Sequence, residues 1–222
     1  KFGRITLVPK IKPDGSFSRD PLKMRPITVL PEIGKLASRI LADRLGTAIL
    51  TQPELLASAQ RAFLRNGDTA QCIHAILDVF EDWNCNKRKK GGPLFCISYD
   101  QRKAFDCVQK YTIEASLTRF NLPASFIRYV ISGLTNARSC VRTRDGLTPD
   151  FAITTSVRQG DPLAPIIFVL ISDALHCGLL DNPLFPGHRD DYQFSNSHVR
   201  LASAGFADDT IIVSESAQGI IR

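Results

Sequence analysis

The chain has 222 residues, 44% of them hydrophobic and 23% charged, which excludes a disordered polyelectrolyte and allows one sizeable core or two smaller ones. Its 28 Lys and Arg against 22 Asp and Glu give a formal charge of +6, a balance that suits a polyanionic partner without demanding one. Six scattered cysteines with no CxxC pair and four dispersed histidines argue against a disulfide scaffold and a zinc site, and read as reduced, mostly buried thiols of an intracellular protein.

From the N-terminus, RITLVPK and KMRPITVL read as two strands. The Pro-Asp-Gly chemistry of IKPDGSFSRDP joins them as a long-looped hairpin. From Ile33 the apolar positions Ile33, Leu36, Ala37, Ile40, Leu41, Leu45, Ala48 and Ile49 recur at helical spacing, opposite Lys35, Arg39, Asp43 and Arg44, and predict an amphipathic helix. A second helix is predicted from Thr69 to Asn84. It ends in the basic turn NKRKKGG, where Lys87 to Lys90 read either as a solvated loop or as phosphate contacts. PLFCISYD is a nearly unbroken apolar run ending on Asp100, the pattern of a strand buried on both faces.

Two further helices are predicted around Tyr111 to Phe120 and Ala124 to Leu134. SCVRTR, the turn DGLTPD and FAITTSV then form an antiparallel pair. In RQGDPLAPIIFVLISDALHCG, Asp161 and Pro162 suit the first positions of a helix, and Leu163, Ile166, Ile167, Leu170, Ile171 and Ala174 give it a core-facing stripe. This stretch is the longest apolar candidate, and Asp173 and His176 within it argue for a buried helix rather than a membrane span. A polar, irregular stretch from Asp181 to Ser197 precedes a last hairpin, VRLASAGFADDTIIVSE. The chain opens without Met and stops just after that hairpin, and so reads as a fragment.

The hairpin raises the functional question. Tight two-residue loops favour Asn-Gly or Asp-Gly, whereas here Asp208 and Asp209 stand together without a glycine and repel one another. If the strand ending on Asp100 lies beside this hairpin, three carboxylates converge at one sheet edge. Such a cluster is relieved by a hard cation with oxygen ligands, Mg²⁺ being the usual one.

SYDQRKAFDCV, RQGDPLAPIIFVL and GFADDTIIV, in this order, resemble the three central palm motifs of reverse transcriptases. KAFD, RQGDPL and FADD resemble the non-LTR (LINE-type) retrotransposon branch, and ITLVPKIKPDG, MRPITVL and KLASRILADRL resemble the fingers motifs of the same family. The resemblance spans essentially the whole chain. It implies an α+β fold of right-hand polymerase fingers and palm, the palm an antiparallel sheet packed on helices, with residues 1–90 as fingers, 91–222 as palm with intervening fingers helices, and the thumb absent.

The resemblance further implies an RNA-directed DNA polymerase that extends a DNA primer on an RNA template from deoxynucleoside triphosphates, using two Mg²⁺ ions for which Mn²⁺ can substitute. Asp100 and Asp208 would be the main metal ligands and Asp209 their companion. Phe105 would pack under the incoming sugar and exclude a 2'-hydroxyl, and Gln159 and Gly160 would line the nucleotide pocket. Arg25, assisted by Lys10, would contact the triphosphate, while Asp106 would cap a helix or support a neighbouring group. No membrane partner is implied, and the parent retrotransposon protein would be nuclear. A group II intron or retron enzyme, and a non-catalytic RNA-binding scaffold of the same fold, stand as alternatives.

Overall fold

The structure is a computed structural model and describes residues 2–11, 13–18, 20–52, 55–57, 59–180 and 191–221. In chain order the elements are β1 (Phe2–Pro9), a 3-10 turn (Pro21–Lys23), β2 (Met24–Val29), α1 (Glu32–Thr51), α2 (Thr69–Lys90), β3 (Phe95–Asp100), α3 (Ala104–Cys107), α4 (Lys110–Arg119) and α5 (Ala124–Leu134). There follow β4 (Arg138–Thr143), β5 (Gly146–Leu147), β6 (Phe151–Ala152), α6 (Ala164–Leu180), β7 (Tyr192–Gln193), β8 (Arg200–Leu201), β9 (Ser203–Phe206), β10 (Asp209–Ser214) and α7 (Ala217–Ile221). They divide into two compact units, each drawn from two stretches of chain: 1–45 with 103–168, and 46–102 with 169–222.

The first unit carries a sheet of order β2-β1-β4-β5, with β6 also paired to β4. β1 and β2 form the predicted hairpin, Val8 lying opposite Arg25. Along β1 the side chains alternate, Ile5 buried between exposed Arg4 and Thr6, as a strand with one covered face requires. β4 does pair antiparallel with β6, but its other edge runs parallel to β1, Ile5 facing Val141. Periodicity within either strand carries no information about that partner. α4 and α5 match the predicted helices, and Ile113 and Leu117 of α4 are fully buried.

The second unit carries a three-stranded antiparallel sheet of order β3-β10-β9 and the small pair β7-β8. Ile76 and Val79 of α2, Tyr192, Ala204 and Val213 make its core. Tyr192 donates its hydroxyl to Asp82 Oδ2 (2.5 Å), tying β7 to α2.

Several expectations are corrected. β3 is a strand, but five of its six residues are exposed, Ile97 at 42% and Tyr99 at 52%. It is an edge strand, and an apolar run alone does not distinguish an edge from a sheet interior. α2 continues through Lys90, so the basic stretch is helical rather than a turn; the side chains of 87–90 lie outside the described residues. α1 exists as predicted, yet Ile33, Leu36 and Ile40 of its apolar side are exposed and its buried face holds Ser38, Leu45 and Ile49. The apolar arc of this helix is wider than the face its neighbours cover. All six cysteines are free thiols, but only Cys140 is buried, and Cys85, Cys96 and Cys107 are exposed. Of the expected irregular stretch, 181–190 lie outside the described residues, while Tyr192–Gln193 is a strand. No helix among the described residues is long and apolar enough to cross a membrane.

Candidate active site

In the second unit the strand register does what the three aspartates require of it. Asp209 is the first residue of β10 and sits directly opposite Asp100 on one side and Phe206 of β9 on the other. Directly opposed residues of an antiparallel pair project from the same face, with Cβ atoms about 5 Å apart. The two-residue loop is therefore Ala207-Asp208, not Asp208-Asp209 as the sequence suggests. Its backbone is correspondingly different: Ala207 takes the left-handed conformation (φ 58°) while Asp208 does not. Gln101 N–H donates to the carbonyl of Asp208 (3.2 Å), fastening the loop to the end of β3.

Asp100 and Asp209 are exposed and Asp208 is half-buried. Among the described residues, no hydrogen bond or ion pair reaches the three carboxylates. Two like charges thus face one another across a ladder, with a third one residue away and no neutralising group among the described residues. That donor set fits a hard divalent cation. It is not a closed cage: no three His, Cys, Asp or Glu side chains among the described residues stand close enough to enclose a metal ion.

The remaining candidates all belong to the first unit. Phe105, in α3, is half-buried and stacks on Phe168 of α6 (centroids 4.5 Å apart, planes at 15°). The stretch before α6 lies against the α3 region: Val157 N–H donates to Phe105 O (2.8 Å), Ser156 N–H to Val108 O (2.9 Å), and Thr155 Oγ1 to Asp106 O (2.9 Å). Gln159 Nε2 donates to Asp106 Oδ1 (3.3 Å). Burial pushes the Asp106 carboxyl above the ordinary carboxylate range, against the pull of the Lys103 charge and the Gln159 amide. Asp106 caps no helix; it holds the Gln159 side chain. Both line a cavity of about 350 Å³ with Thr28, Thr155 and Arg158. Burial lowers the affinity of the Arg158 guanidinium for its proton, partly offset by the nearby Asp161 charge.

Gly160 adopts φ +106°, and a Cβ there would lie 2.4 Å from the Thr28 carbonyl oxygen. Thr28 N–H donates to Gln159 O (2.6 Å), so the turn is clamped on β2. The glycine is needed for this close backbone approach, whatever else it admits. Asp161 Oδ1 accepts Leu163 N–H (3.0 Å) and starts the chain into α6. Arg25 and Lys10 are both exposed. Arg25 lies opposite Val8, and Lys10 follows β1 directly, so both cations stand at the same end of the hairpin.

Sequence reading missed Gln60 and Ala207. Gln60 is 2% exposed and sits in the long connection between α1 and α2, with no periodicity to announce it. Ala207 has no residue-type signature for left-handed backbone.

The sequence profile described as "Reverse transcriptase (RNA-dependent DNA polymerase)" matches residues 10–222. The retrovirus-related Pol polyprotein from type-1 retrotransposable element R2 of Popillia japonica is 29% identical over 214 residues, 96% of this chain and 27% of the relative. The corresponding polyprotein from type-2 retrotransposable element R2DM of Drosophila melanogaster is 26% identical over 223 residues, 99% of this chain and 19% of the relative. The chain thus spans about a quarter or less of the length of these relatives.

Among solved structures, apo telomerase from Candida tropicalis truncated from its C-terminal domain superposes with a TM-score of 0.62 at 14% identity, covering 99% of this chain and 45% of that one. Telomerase from the same organism in complex with a TWJ fragment of telomeric RNA gives 0.63 at 13%, covering 99% and 37%. At such identities the likeness shows the fold, a polymerase fingers and palm. Reverse transcriptase domains use divalent metal ions, in keeping with the unneutralised carboxylates of the β3-β10-β9 sheet. Relatives such as R2, X-element and BS are non-LTR retrotransposon proteins, and the chain belongs to the reverse transcriptase (RNA-dependent DNA polymerase) family.

Proposed function

We propose that this chain carries the polymerising centre of a retrotransposon reverse transcriptase, adding deoxynucleotides to a primer 3'-hydroxyl on an RNA template. The observation that supports it most directly is the register that sets Asp209 opposite Asp100, with Asp208 in the adjoining loop and, among the described residues, no cation pairing with any of them. In this reading Asp100 and Asp208 hold two Mg²⁺ ions, with Asp209 as their companion. When bound, the ions activate the primer hydroxyl and stabilise the charge of the departing pyrophosphate.

The chain's own residues bind and orient. Arg25 offers a planar fork suited to a phosphate, and Lys10 adds a point charge at the same end of the hairpin. Phe105, held by its stack on Phe168, presents a fixed aromatic surface to the sugar. Asp106 fixes the Gln159 amide, which together with Gly160 shapes the nucleotide pocket. Sequence information comes from template pairing, and the duplex is gripped through its backbone and shape.

The test is deoxynucleotide incorporation by the full-length protein on an RNA template with a DNA primer, beside Asp208→Asn. Incorporation that needs Mg²⁺ or Mn²⁺ and falls by about a thousandfold or more in the variant is the expected result. A folded wild-type protein that binds the duplex and incorporates nothing would favour the RNA-binding scaffold instead.

A further inference from the structure

The loop that presents Asp208 is held from outside the hairpin. In the second unit, Gly205 N–H donates to Ala59 O (2.8 Å) and Arg61 N–H donates to Gly205 O (3.0 Å), so 59–61 run along β9 as a short parallel partner. The Gln60 side chain reaches on from there and is buried. Its Oε1 accepts Ala62 N–H (3.0 Å) and Ala207 N–H (3.1 Å). Its Nε2 donates to Ala207 O (3.2 Å) and to Ser172 Oγ (3.4 Å). One carboxamide therefore satisfies both main-chain groups of Ala207.

Ala207 is also the residue in left-handed backbone, at φ 58°. That conformation is unfavourable for any side chain with a Cβ, and it persists only where the surroundings fix it. An amide reading the N–H and C=O of one residue together supplies that restraint, because rotating either peptide plane away breaks a bond. The next two residues are Asp208 and Asp209.

We infer that Gln60 is a positioning residue: its carboxamide fixes the left-handed turn at Ala207 and thereby the direction in which Asp208 and Asp209 face Asp100. The inference rests on reading these aspartates as the cation-holding carboxylates.

The test compares the full-length wild type with Gln60→Met, which keeps the length and loses the amide, and with Val79→Ala, a destabilising change at a fully buried position of the same unit. Amide exchange at Ala207 reports the clamp without any metal or turnover. Gln60→Met is expected to speed that exchange and lower kcat, each by about tenfold, with nucleotide KM and duplex affinity held within about twofold; Val79→Ala moves neither readout. Adding Ala207→Gly, for which left-handed backbone is free of strain, restores part of the lost kcat.

Unchanged exchange at Ala207, or a kcat loss no greater than that of Val79→Ala, overturns the inference. If Gln60→Met does not fold, Gln60→Glu takes its place: it keeps the acceptor for Ala207 N–H but sets a carboxylate against the Ala207 carbonyl, and the same two readouts decide. A wild-type protein without incorporation would refute the polymerase reading, while the exchange comparison would still decide the clamp.

Discussion

Gly160 illustrates how a residue can be picked out for one reason and needed for another. The sequence marks it through RQGDPL, a turn before a buried helix, and the resemblance attributes it to substrate approach. The structure adds Thr28, whose carbonyl occupies the space a Cβ would need, and a φ of +106° that other residues rarely adopt. Both costs fall on the same substitution. Gly160→Ala is expected to destabilise by about 2 kcal/mol or more, read from denaturant midpoints; a cost below about 0.5 kcal/mol would mean that the turn relaxes freely. That Asp100 and the Asp208-Asp209 hairpin come together was legible, because their order and flanking apolar runs form a pattern. Gln60 was not, since a lone glutamine in a long connection shows its bonding only when its four hydrogen-bond partners are in place.

Elements were more legible than their surroundings. Apolar spacing found α1 and α6, while α2, α4 and α5 were predicted near their observed starts; Pro-Asp-Gly turn chemistry found the β1-β2 hairpin, and the apolar runs flanking the aspartates found the β9-β10 hairpin. The exposed sides of β3 and α1 stayed hidden, because periodicity reports which residues could be buried and not what lies against them. The α6–β9 contact is a case in which packing alone sets behaviour. His176 is fully buried, its Nδ1 is 2.8 Å from Ser203 Oγ, and its ring lies so close to Gly205 that a Cβ there would be 2.7 Å away. Burial holds its pKa below the ordinary 6.5, against the raising effect of the Asp173 charge. The unfolded chain then takes up a proton near pH 6.5 that the folded protein refuses, so this contribution to stability is whole above 6.5 and is lost as pH falls below it. His176→Asn should therefore shallow the decline of the thermal midpoint below pH 6.5 relative to wild type, and identical profiles would show that the ring titrates freely in the native protein.

At the scale of the whole molecule the informative quantity is charge. A surplus of six positive charges is modest for the proposed nucleic-acid enzyme, and the carboxylates at the β3-β10 edge oppose it locally. Binding to an RNA–DNA duplex should nevertheless release counterions in proportion to the phosphates contacted. Raising monovalent salt from about 50 to 200 mM is expected to weaken duplex affinity by about tenfold or more, measured by fluorescence anisotropy with a labelled primer. A flat response would remove the electrostatic grip from the mechanism. Composition predicts the sign of this response but not which surface carries it, because the +6 is a sum over the chain.

The exposure of β3 also opens an experimental route to the site. Cys96 is an exposed native thiol on that strand, and strand parity sends it to the same face as Asp100, four residues and about 13 Å away along the backbone. Partial burial raises its pKa, so coupling to a maleimide would need mildly alkaline buffer. With the exposed Cys85 and Cys107 and the half-buried Cys72 and Cys177 replaced, a spin label at this one position would broaden or shift as a paramagnetic Mn²⁺ ion arrives, turning an edge strand into a distance gauge for the carboxylates beside it.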